Sequence, residues 1–132
     1  MKPTRVALHI SLGIAMIFGP ATAYALGFVN NRAQWQSLSP EARLGYVEAL
    51  NDSLNTTFVD DTLVNALGKK GRTECLVSGK ITATKLSELM SIAYHNDRMA
   101  NFSPSAVYII KMSDICGEYI NRIRQDYGLG PQ

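Results

Sequence analysis

Apolar residues in the middle of the chain recur every third or fourth position rather than every second. After Ser39-Pro40-Glu41, the residues Leu44, Val47, Leu50, Leu54 and Phe58 share one side of a helix, and Tyr46 widens it. Ser39 supplies a capping hydroxyl, Pro40 suits the first helical position, and Glu41 sits where the helix dipole favours an acid. The pattern predicts a helix from Pro40 to about Asn55, with room to continue across Thr56-Thr57. A shorter helix is predicted over Asp60–Leu67, apolar at Leu63, Val64, Ala66 and Leu67 and ended by Gly68. The adjacent acids Asp60 and Asp61 suit the start of that helix better than a paired acid site.

Lys69–Lys80 reads as a connector, punctuated by Gly71 and Gly79, with Cys75 in its middle and Leu76 and Val77 tucked inward. Lys69, Lys70, Arg72 and Lys80 make it a local positive patch or, more simply, a solvated loop. Thr82 caps the next helix, whose stripe is Leu86, Leu89, Met90, Ala93 and Tyr94 and which fades near Asp97–Asn101. Ser103-Pro104 repeats the earlier start, and a last helix runs from Pro104 to about Tyr127, before Gly128. One of its sides carries Ala106, Ile109, Ile110, Cys116, Ile120 and Ile123; another carries Tyr108, Met112, Ile115 and Tyr119. A helix apolar on two sides is central to its domain or shared with a second copy. Tyr108, Met112 and Tyr119 are thus a candidate homodimer face, packing against the lead-in being the alternative. Gly117 costs about 1 kcal/mol relative to alanine and marks a candidate kink. In the lead-in, Leu26 to Leu38, residues Phe28, Val29, Trp35 and Leu38 are expected to pack, with Asn30, Asn31 and Arg32 in a turn. No segment alternates with period two, so the expected fold is all-α: a small single-domain helical bundle of three main helices plus a short one.

The N-terminus departs from this pattern. Lys2 and Arg5 precede an apolar run from Val6 to Phe18, Gly19-Pro20 breaks it, and Ala23-Tyr24-Ala25 offers small residues for a signal peptidase. The run is shorter than the ~20 residues a spanning helix needs. Residues 1–25 are therefore read as a cleaved signal peptide and 26–132 as the helical domain, with a cut after Ala23 or an uncleaved anchor as alternatives. The net charge of +2 comes from Lys2 and Arg5; the rest of the chain is balanced and lacks the basic footprint of a nucleic-acid binder. Once the leader is removed, no membrane association is expected.

Export changes the reading of Cys75 and Cys116, the only cysteines. An oxidising compartment favours a disulfide between them, and closing a loop of about 40 residues stabilises by roughly 4 kcal/mol in the chain-entropy account. With one histidine outside the leader, they are a poor zinc set, and no metal or cofactor is expected. His95 and Asp97 lie two apart and do not face each other on a helix. The serines sit mostly at caps, and no phosphate, dinucleotide, HExxH or EF-hand motif is present. No catalytic residue is assigned, and the chain is expected not to be an enzyme.

The order of features resembles a known family. A leader and a Gly27-Phe28 lead-in precede SPEARLGYVEALNDSL, a lone cysteine, ITATKLSELMSIAY and SPSAVYIIKMSDIC. This resembles the Tai-type immunity proteins of type VI secretion, small periplasmic helical proteins with an HdeA-like fold. The resemblance covers about Gly27 to Cys116. The glycine and aspartate that usually follow the family's YV pair appear here only as Ala49 and Asp52, and the loop before the last helix reads HNDRMANFSP. The chain also continues well beyond Cys116. The resemblance implies a periplasmic protein that binds and neutralises a secreted cell-wall amidase, often as a dimer. An HdeA-like acid-stress chaperone, which would loosen as its carboxylates protonate, and an accessory periplasmic binding protein are the other readings. A binder of protein leaves its connectors for recognition. His95, Asn96, Arg98, Met99 and Phe102 are the candidate partner-binding residues, since arginine and aromatic side chains anchor interfaces. For Phe102, a hydrophobic staple on the last helix is the equal alternative. The Lys69–Lys80 connector, pinned by the disulfide, is the second candidate surface.

Overall fold

Five short side chains set where the helices begin. Asn31, Ser39, Thr62, Thr82 and Ser103 each accept a hydrogen bond from the backbone N–H three residues on, at 2.9 to 3.4 Å. In the computed structural model, which describes residues 28–132, they start α1 (Arg32–Ser37), α2 (Pro40–Asn55), α3 (Leu63–Ser78), α4 (Ala83–Ala93) and α5 (Pro104–Asp126). A 3₁₀ turn, Asp97–Met99, lies between α4 and α5. The domain is all-α with one disulfide. The leader expected over residues 1–25 and its cut lie outside the described residues.

The contacts close a ring: α3 packs on α5, α5 on α4, α4 on α2, and α2 on α3. Val47, Leu86, Met90, Tyr94, Val107, Tyr108, Met112 and Ile120 fill its interior. Cys75 and Cys116, both buried, are joined by a disulfide with Cα atoms 5.5 Å apart. The capping readings for α2, α4 and α5 and the stripe reading for α4 hold, whereas in α5 Ala106 and Ile109 of the expected stripe are exposed.

The Lys69–Lys80 connector does not exist as a loop. α3 runs through Gly68 and Gly71 and carries Cys75 on its last turn. Gly71 lies against α5: a Cβ there would stand 2.7 Å from the Ile120 Cα. The glycine is required by the closeness of two helices, and it does not break its own. The helix ends instead in a Schellman motif, with Ile81 N–H donating to Leu76 O at 2.9 Å and Lys80 N–H to Val77 O at 3.1 Å. Lys80 takes the left-handed position there, φ 50°, which usually falls to glycine. The end of α5 repeats the motif with Gly128 at φ 71°.

Further expectations are corrected. Phe28 and Val77, expected to pack, are exposed. Asn30 to Arg32 is no free turn, because Asn31 caps α1. Phe58 lies beyond the end of α2 and is 56% exposed, so it is not part of the buried stripe. Tyr108 and Met112 are buried and cannot form a homodimer face, while Ile109 and Ile115 on the same helix face outward. The buried stripe of α5 is Val107, Tyr108, Met112, Cys116, Ile120 and Ile123. The helix continues through Gly117 without interruption.

Candidate functional site

The segment from Tyr94 to Ser103 is a loop built on three anchors. Its first is local: Asn96 Oδ1 accepts from Arg98 N–H at 3.0 Å, and Met99 N–H donates to Asn96 O at 2.9 Å, which tightens the chain into the 3₁₀ turn. Its second is the Tyr94 hydroxyl, which donates to Phe102 O at 2.8 Å across the base of the loop. Burial, with Tyr46 nearby, pushes Tyr94 up to about 12, so this hydroxyl remains a donor throughout the physiological range.

The third anchor is α1. Arg32 N–H donates to Ala100 O at 2.9 Å, and its guanidinium donates to Tyr94 O at 3.2 Å and to Asp97 Oδ1 at 2.8 Å. A six-residue helix has no stability of its own. This one is held by Trp35, fully buried between Tyr46 (6.1 Å, edge-on) and Tyr94 (6.2 Å), with its indole N–H donating to Ser91 Oγ at 3.2 Å. Arg43 of α2 satisfies the carbonyls of Trp35 and Gln36, at 3.1 and 2.7 Å.

The five residues predicted for binding divide. His95, Asn96, Arg98 and Phe102 are exposed on this loop, whereas Met99 turns inward and packs on the core. What the sequence missed is that α1 braces the loop. The basic patch, the less simple of the two readings for the residues around Cys75, is not formed. Lys69 is bound by both oxygens of Asp61 at 2.8 and 2.7 Å, Lys70 pairs with Glu74, and Arg72 turns towards α2. Asp61 and Asp60 precede the Thr62 cap and so lie outside the first turn of α3. Lys69 and the Phe58 N–H together hold the Asp61 carboxyl below the usual range.

A half-buried polar cluster ties α2, α3 and α5 together. Arg72 donates to Asn55 Oδ1 and Leu54 O, both at 2.8 Å. Asn55 Nδ2 donates to the Tyr108 hydroxyl at 2.9 Å, and that hydroxyl donates to Asn51 Oδ1 at 2.8 Å. Burial raises the Tyr108 pKa, opposed by the Asn55 hydrogen bond and by Arg72. No buried side-chain polar atom of the described residues is left without a partner. Beside this cluster, Phe58, Val59, Leu63 and Val64 form an exposed apolar run that sequence periodicity had assigned partly to the core.

Among the described residues no group of His, Cys, Asp and Glu is placed to hold a metal ion, and no helix is long and apolar enough to cross a membrane. Compared with known proteins, the chain matches no family model, no curated protein and no solved structure.

Proposed function

We propose that the protein is a periplasmic immunity factor that binds a cell-wall amidase delivered by type VI secretion and blocks its active-site groove. The observation that carries this reading is the Cys75–Cys116 cross-link, which joins the two cysteines on which the family resemblance rests. The compact helical scaffold around it supports recognition by surface, with the 95–102 loop as a contact region. Arg98 and Phe102 present a guanidinium and an aromatic ring there. The loop is ordered by Arg32, Asn96 and Tyr94 before any partner arrives, so little conformational entropy is lost on binding.

The test is direct. The protein is purified with its disulfide intact and mixed with any wall hydrolase found encoded beside it. A stable complex that abolishes peptidoglycan cleavage is the expected result. Cells that lack the protein should lyse when that hydrolase reaches their periplasm, and only an exported form should rescue them. Protection by a form without residues 1–25, or full hydrolase activity in the presence of excess protein, would remove the immunity reading. Within a complex, Arg98→Glu with Phe102→Ala should weaken binding while leaving the melting temperature unchanged.

A further inference from the structure

We propose that the groove between the end of α2, α3 and the second turn of α5 docks a protein segment carrying one aspartate or glutamate flanked by apolar side chains. It adds a second contact surface to the 95–102 loop and stands whether or not the partner is a wall hydrolase.

The charge argument comes first. Arg72 is half-buried, and both acceptors that hold it, Asn55 Oδ1 and Leu54 O, are neutral. No carboxylate pairs with it among the described residues, where the ion pairs are those of Arg32, Lys69, Lys70, Lys85 and Lys111. The carbonyl end of α2 offsets part of its charge, at most about half of one. Burial pulls the Arg72 pKa down, so the cation is held against a desolvation cost that a carboxylate would relieve.

The shape argument concerns what surrounds that cation. The groove has a volume of about 240 Å³ and is lined by Arg72 and Lys69, with Val64 and Ile109 on its rim and Gln132 at one side. Lys69 is already neutralised by Asp61, which leaves Arg72 as the charge on offer. Val64 and Ile109 are both more than a third exposed. Phe58 continues the apolar surface, since Lys69 Nζ lies 4.8 Å from its ring centroid, and Val59 beside it is fully exposed. A small free anion would use the guanidinium and ignore this rim. An acidic side chain with apolar neighbours uses both.

The third argument is order. Phe58 N–H donates to Asp61 Oδ2 at 2.8 Å and Asp61 N–H to Phe58 O at 3.2 Å, while Lys69 clamps the same carboxylate. The apolar tip is therefore fixed in place, and docking against it costs little conformational entropy.

The experiment uses two capped pentapeptides, one with a central aspartate between leucine and phenylalanine residues and its asparagine twin. Each is titrated into the folded, disulfide-bonded protein and followed by nuclear magnetic resonance. The aspartate peptide should shift the Arg72 Nε–H and the methyl signals of Val64 and Ile109, and bind at least about tenfold tighter than its twin, the difference one net charge-assisted hydrogen bond makes. Arg72→Gln should remove that preference. Because Arg72 also holds the end of α2, Val64→Asp is the second variant: it changes an exposed side chain and sets a carboxylate beside the guanidinium, so it should keep the fold and abolish the preference. Equal affinity for the two peptides, shifts confined to other surfaces, or a preference that survives Val64→Asp would overturn the proposal. Concentration-dependent broadening of the same signals without peptide would give the groove to a second copy and overturn it as well.

Discussion

The seam between α3 and α5 and the aromatic nest around Trp35 are both buried, but they depend on their parts differently. At the seam the backbones themselves approach, at Gly71 and Ile120, and a covalent bond joins Cys75 to Cys116 a turn away. The nest has no covalent link. One side chain, Trp35, fills the space between Tyr46 and Tyr94 and carries α1 with it. The seam thus spreads its cohesion over backbone, disulfide and aliphatic contacts, while the nest concentrates its cohesion in one residue. The nest is also the region that braces the 95–102 loop.

Trp35→Ala should have the largest effect, a loss of about 3–5 kcal/mol. Hydrogen exchange should show protection lost first in α1 and the 3₁₀ turn, with the amides of α3 and α5 the last to open. Uniform loss across all helices would erase the distinction between the two regions. Replacing both Cys75 and Cys116 with serine should cost about 2–4 kcal/mol and act on the seam. Reduction of the wild-type protein should lower the urea midpoint in the same way as that double substitution.

Gly71→Ala sharpens the comparison further. Its new methyl meets the Ile120 backbone, which has no rotamer to change, so a loss of about 1–3 kcal/mol is expected. The same change at Gly117, where a Cβ meets nothing within 4 Å, should stabilise by about 1 kcal/mol through helix propensity. Thermal melts of the two variants give the sign of each.

The smallest effect is expected at Asp61, outside both regions. Its folded pKa is lowered, so its stabilising contribution is present above the unfolded carboxylate value and lost as pH falls through the folded one. Asp61→Asn should therefore lower the melting temperature at neutral pH, and the gap to wild type should close in acid. A gap that persists there would mean that Asp61 acts through packing and not through its charge.

The helix starts at Ser39, Thr82 and Ser103 were legible because a cap is a local event: a serine or threonine, and often a proline after it, announces itself within four residues, whereas the caps at Asn31 and Thr62 were missed. The stripe of α4 was legible for the same reason. Gly71 was misread because its role is set by Ile120, distant in sequence, and locally a glycine among lysines looks like a break. Phe58 kept the helical spacing of its stripe after the helix had ended. In the candidate site, the exposure of His95, Asn96, Arg98 and Phe102 followed from their place between a helix end and Ser103-Pro104. The inward turn of Met99 and the Arg32–Asp97 pair, 65 positions apart, are tertiary facts that no local pattern announces.

The cross-link has a consequence for how the molecule survives damage. The segment between Cys75 and Cys116 contains all of α4 and the exposed Arg98. A protease that cuts once after Arg98 opens the chain without dividing the molecule, because the two pieces remain tethered through sulfur. On a gel the nicked protein would run as one band until a thiol is added and then as two. The exposed loop can be clipped while the helices on either side of the cut stay within reach of each other.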